Sequence, residues 1–161
     1  MTTAYRLLGI RAHTRAQLVK KLQAKGGSET DITAVLTELE QRGYVNDAGT
    51  AEGRIESILR QRPCGRLSLK ARLRADGVPD ETAQEALASV YPIEKEEAVA
   101  REALQRWLKA HINVTPEKQF AAAGRHLASR GFPEGLIYTV LAAEGLHQGS
   151  YAGVNEGVEN M

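Results

Sequence analysis

The sequence is poor in most of the features that announce a reaction or a compartment. It has a single cysteine, Cys64, so no intrachain disulfide is available and a disulfide-stapled secreted fold is excluded. Aromatic residues make up 5% of the chain. The core must therefore be built from Leu, Ala, Val and Ile, and a row of stacking platforms for sequence-specific single-strand readout is excluded. No apolar run approaches the roughly 20 residues of a bilayer span. The opening MTTAYRLLGIRAHTR has no apolar stretch behind its charges that would mark a secretory leader. A cytoplasmic protein with no membrane partner is expected.

Catalytic patterns are missing as well. The chain holds no G-x-x-x-x-G-K-[ST] phosphate loop, no G-x-S-x-G elbow and no H-E-x-x-H pair. His13, His111, His126 and His147 are scattered, and Cys64 has no cysteine at metal-ligand spacing. No catalytic residue, metal site or cofactor is expected, and an enzyme is not the reading. Cys64 lies in RQRPCGRL, where nearby arginines would favour a thiolate, but Pro63 and Gly65 beside it fit a turn residue better. Trp107 falls in an apolar stripe and is expected in the core.

The chain does contain enough apolar residue to fold, 42% hydrophobic against 25% charged, and its apolar residues recur at helical spacing. Leu18 and Leu22, Leu69 and Leu73, and Ala123 and Leu127 sit eight and four residues before Gly26, Gly77 and Gly131. Each pair marks one face of a helix that ends at the glycine. Behind the glycines follow Ile32, Val35, Leu36 and Leu39, then Ala83, Ala86, Leu87 and Val90, then Ile137, Val140 and Leu141, a second helix each time. Upstream, Ala4, Leu7 and Leu8 match Ile55, Ile58 and Leu59 in register, and Ala100, Ala103, Leu104, Trp107 and Leu108 form a longer third stripe. The glycines are 51 and 54 residues apart, which gives three helices per unit.

Cap residues support the boundaries. Thr14 with Gln17 reads as a capping box, Ser28 with Asp31 as a weaker one, and Thr115 before Pro116 as a cap with an N1 proline. Pro79 and Pro133 open the helices after the second and third glycines. No alternating strand pattern is present. The expected fold is all-α: three tandem three-helix repeats over 1–47, 48–92 and 93–147, stacked into an elongated, curved array. Residues 148–161, GSYAGVNEGVENM with the preceding Gln, are expected to be a flexible tail.

Net charge is +1, which excludes a strong overall pull on nucleic acid, yet sign alternates in blocks. Residues 1–25 carry six cations, Arg15, Lys20, Lys21 and Lys25 among them, and no acid. Residues 54–76 carry Arg54, Arg60, Arg62, Arg66, Lys70, Arg72 and Arg74 against two acids. The third unit has Lys118, Arg125 and Arg130 in its middle helix. A cationic middle helix recurring three times on a near-neutral chain predicts a polyanionic or acidic partner surface. Two other readings stay open: a helix-turn-helix module docking on DNA directly, and a helical scaffold with no nucleic acid in its biology.

Three stretches carry a resemblance. YRLLGIRAHTRAQLVKKL is similar to A-x-x-L-x-x-R-x-x-S-x-x-E-L-x-x-K-L, LEQRGYVND to L-x-x-x-G-Y-L-D-D, and RHLASRGFPEGLI to R-x-L-x-x-R-G-F. In this order and spacing, over residues 4 to 145, the chain resembles the RecX family of regulatory proteins. The resemblance implies a modulator of the RecA recombinase that lies in the groove of the RecA–DNA filament and blocks ATP hydrolysis, strand exchange and filament assembly. A monomer that binds single- and double-stranded DNA weakly and nonspecifically is expected. The chain departs from the family pattern in two places. Asn46 replaces the first acid of D-D, and Thr50-Ala51 replaces F-A, which is expected to loosen packing at the first joint. Thr14 and Gln17 replace Ser and Glu with the cap chemistry retained.

Overall fold

The computed structural model describes residues 1–147; the segment expected as a tail lies outside the described residues. These form nine helices and no strand. The first three are α1 (Thr2–Ile10), α2 (Arg15–Gln23) and α3 (Glu29–Gln41). Next come α4 (Asp47–Gln61), α5 (Arg66–Ala75) and α6 (Asp80–Val90), followed by α7 (Ile93–Ala110), α8 (Pro116–Ser129) and α9 (Glu134–Ala143). None is long and apolar enough to cross a membrane.

The helices close on three cores. Ala4, Leu18, Ile32, Leu36 and Leu39 form the first; Ile55, Leu69, Leu73, Ala83 and Leu87 lie in the second; Leu104, Trp107, Ala123, Leu127 and Val140 lie in the third. Every apolar stripe expected from the periodicity contributes to one of them. The third unit's last helix buries Ile137, Val140 and Leu141 and leaves Glu144 exposed, as its shortened stripe predicts. The second and third cores share Val99.

Local chemistry explains the ends of the helices. Thr14 and Gln17 form the reciprocal box that starts α2, and the Ser28 hydroxyl accepts from the Asp31 amide at the start of α3. Asn46, standing where an acid is usual, accepts from the Gly49 amide and caps α4 unaided. Thr115 occupies the N-cap of α8 ahead of Pro116 but gives no side-chain cap. Pro79 and Pro133 stand at the N-cap itself, one residue before α6 and α9 begin. Gly26, Gly77 and Gly131 all end helices at φ near +80°, the left-handed conformation that a residue without Cβ adopts at least cost.

Candidate functional site

The glycine turns serve as docking points between units. Thr14 donates its hydroxyl to the carbonyl of Asp76 (2.7 Å), and Gln17 Nε2 donates to the Asp76 carboxylate (3.1 Å). The start of α2 is thereby fixed on the turn that ends α5. Fifty-one residues on, the same place is bonded by backbone: the Gly65 amide donates to the Arg130 carbonyl (2.9 Å) and the Leu67 amide to that of Gly131 (3.2 Å). The start of α5 thus rests on the turn that ends α8. Each joint also carries a carboxylate from the first turn of a later helix, α4 or α7. Asp47 accepts from the Arg15 amide (2.8 Å), and Glu96, 4% exposed, accepts from the Arg66 amide (2.7 Å). Acids at a helix N-terminus satisfy donors that the helix cannot and complement its dipole.

Through these joints α8, α5 and α2 follow one another end to start, a contour of roughly 50 Å at about 1.5 Å per residue. They are the cationic helices. Gly26, at the free end of this succession, has open space where a Cβ would stand.

The cations fall into four groups. Lys20, Lys25, Arg62 and Arg125 are exposed. Arg15, Arg54, Arg60 and Arg74 are exposed and paired with Glu40, Asp76, Glu56 and Asp80. Surface pairs of this kind contribute little, about 0–1 kcal/mol, and exchange readily for another anion. The hydrogen bond from Arg74 holds the Asp80 carboxyl below its ordinary range. Lys21, Lys70, Arg72 and Arg130 are half-buried. Lys21 Nζ donates to His13 Nε2 at 2.8 Å, which requires a neutral imidazole whose Nδ1–H donates to the Arg11 carbonyl. Burial lowers the His13 pKa accordingly, and the charges of Arg11 and Lys21 act in the same direction.

Arg66 stands apart. Its guanidinium donates to the carbonyls of Leu87 and Tyr91 at the end of α6, so it fastens helices and is not available to a partner.

Three cations that the sequence places on separate elements converge. Arg62 at the end of α4, Arg72 on α5 and Arg130 at the end of α8 line one polar cleft of about 300 Å³ together with Ser68, His126 and Ser129. Nothing local marks Ser68 or Ser129. Their place follows only when the 51- and 54-residue register is combined with the docking of one unit's turn on the previous unit's helix. Cys64 lies against this cleft but is 2% exposed, and burial pushes its thiol up despite the nearby arginines; it is a packed residue. Trp107 is 8% exposed and stacks on the His111 ring at 4.5 Å. Among the described residues no three His, Cys, Asp or Glu side chains gather as a metal site would require.

A family model described as the first three-helix domain of RecX matches residues 1–39. The Regulatory protein RecX of Amycolatopsis mediterranei is 37% identical over 138 residues, covering 86% of this chain and 78% of that protein. That of Chlorobaculum tepidum is 33% identical over 129 residues, covering 80% and 78%. The crystal structure of RecX from Lactobacillus salivarius superposes with a TM-score of 0.81 at 19% identity, over 91% of this chain and 94% of that one. In sequence over most of its length the chain belongs to the RecX family of regulatory proteins.

Proposed function

We propose that this protein binds RecA and RecA–DNA filaments and inhibits ATP hydrolysis, strand exchange and filament assembly, without a catalytic residue of its own. The observation that carries the reading is the end-to-start succession of α8, α5 and α2, which repeats a cationic helix along an elongated molecule. A filament repeats too, and a partner that contacts several protomers at once gains avidity that one unit lacks. Occupying the filament groove is enough to block it. The exposed cations on the middle helices face phosphate, and the exposed acids of α3 and α6 face cationic protein surface. The family membership of the chain agrees with this reading.

The test is RecA on single-stranded DNA with ATP. Adding the protein below equimolar ratio is expected to suppress ATP turnover, and unchanged hydrolysis at stoichiometric excess overturns the proposal. Direct DNA binding, weak and nonspecific, is a second reading favoured by the exposed Lys20, Lys25, Arg62 and Arg125, which form no ion pair among the described residues. With about five phosphates contacted, duplex affinity falls roughly 500-fold for a fourfold rise in salt. A flat salt dependence removes phosphate as a partner.

A further inference from the structure

We infer that the cleft at the second joint is a binding site for a phosphate group, gripped from both sides by successive repeats. Arg62, Ser68 and Arg72 come from the second unit; His126, Ser129 and Arg130 come from the third. No carboxylate lines the cleft, and none of the three arginines is in an ion pair among the described residues. Among the described residues Arg130 Nη1 is buried without a hydrogen-bond partner. Gathering three guanidinium groups without a counterion costs electrostatic energy, and burying a charged donor unpaired costs more. An anion in the cleft relieves both.

The first joint shows that the convergence is not a necessity of the fold. In the repeat register Asp76 stands where Arg130 stands at the second joint. Asp76 accepts from Gln17 and Arg54, so that joint is internally balanced. The second joint replaces the acid by a third arginine and docks by backbone hydrogen bonds and the Glu96 carboxylate, which leaves the guanidinium groups of Arg62, Arg72 and Arg130 without a partner among the described residues. The donor set defines the anion. Planar guanidinium forks, the Ser68 hydroxyl and an imidazole surround a tetrahedral oxyanion better than a flat carboxylate, while the Ser129 hydroxyl donates to the His126 carbonyl. The volume, about 300 Å³, lies at the lower end of small-molecule pockets, roughly 300–1,000 Å³, and takes a phosphate with part of the group it esterifies. Because the donors belong to two repeats, the bound group also braces the joint.

The inference deepens the nucleic-acid half of the proposed function, and its first test needs neither RecA nor DNA. Inorganic phosphate is titrated into nitrogen-15-labelled protein at constant ionic strength, with chloride and acetate as controls. The expected result is one saturating shift shared by the Ser68 and Ser129 amides and the Arg72 and Arg130 side-chain nitrogens. Arg130→Gln and, from the opposite wall, Arg72→Gln are each expected to weaken it about tenfold, with Arg130→Lys intermediate. Two variants keep the test alive should one fold poorly. Shifts spread evenly over Lys20, Lys25 and Arg60, or equal shifts with acetate, overturn the site. A second arm names the source of the phosphate. If DNA supplies it, the double variant lowers the salt slope of duplex binding by about 0.9 for each DNA phosphate that is no longer neutralised. If the slope is unchanged while the phosphate shift is abolished, the site takes a free phosphate or a nucleotide. Failure of RecA inhibition with a localised phosphate shift sinks the filament reading and leaves the site standing.

Discussion

A Cβ placed on Gly131 would stand 2.3 Å from the amide nitrogen of Ser68, and one on Gly65 would stand 2.2 Å from the carbonyl oxygen of Gly131. The second joint is therefore backbone against backbone: Gly65, at φ −83°, is fixed by proximity alone, and Gly131, at φ +82°, by proximity as well as φ. Gly26 separates the two effects. It has φ +83° against +82° at Gly131 but nothing within 4 Å of a built Cβ. Gly26→Ala is expected to cost about 1 kcal/mol of left-handed strain. Gly131→Ala adds a clash that cannot relax without opening the joint and is expected to cost about 1–3 kcal/mol more. Urea unfolding of both variants measures the difference, and equal losses would show that the joint yields freely.

Arg66 and the cations of its own helix are expected to respond in opposite ways. Removing the Arg66 side chain orphans the carbonyls of Leu87 and Tyr91, a loss of about 1–3 kcal/mol. Arg66→Ala should melt earlier yet keep the salt slope of DNA binding at a temperature where it is folded. Reversing Lys70, Arg72 and Arg74 together removes only the surface pair Arg74–Asp80 from the fold. That variant should retain its helical circular dichroism and lose DNA and filament binding. If it still inhibits RecA as the unaltered protein does, the binding face lies elsewhere.

At the first joint Thr50-Ala51 stands in place of F-A, and Ala51 is fully buried there. A cleft of about 240 Å³ opens there, lined by Thr50, Ala51, Leu73, Val78 and neighbouring polar residues. The joint relies on the side chains of Thr14, Gln17 and Asp47. Thr50→Phe places a ring against Leu73 and Val78. It is expected to stabilise by about 0.5–2 kcal/mol, a few degrees in melting temperature. A lower melting temperature would mean that the cleft has no room for the ring.

Helix positions, helix faces and glycine turns were legible because each depends on residues within one or two turns. Leu18, Leu69 and Ala123 are all fully buried where periodicity places them. What the turns do was not legible. Gly26, Gly77 and Gly131 look alike in sequence, but only the last two receive the helix start of a preceding unit. Arg66 reads as one more exposed cation, since its partners Leu87 and Tyr91 lie more than twenty residues away and are backbone atoms. Glu96 reads as one of several acids opening a helix, but its side chain reaches the Arg66 amide across the joint. The cleft of Arg62, Arg72 and Arg130 combines both difficulties, because it exists only where two repeats meet.

Two histidines make stability depend on pH in a predictable direction. Burial lowers the pKa of His13 and of His126 from 6.5. Arg11 and Lys21 reinforce the shift at His13, and Arg130 and His111 reinforce it at His126. The folded state thus holds fewer protons than the unfolded chain once pH falls below 6.5. Stability from both groups is complete above that value and is lost as pH falls through the folded pKa values. At His13 the reason is visible: a protonated Nε2 cannot accept from Lys21 Nζ, and an imidazolium would face an ammonium. Melting temperature is expected to drop between about pH 7.5 and about pH 5, and the drop should be shallower in His13→Gln with His126→Gln. The glutamine amide still offers Lys21 an acceptor and has no proton to gain. Equal slopes in the two proteins would assign the pH dependence to other groups.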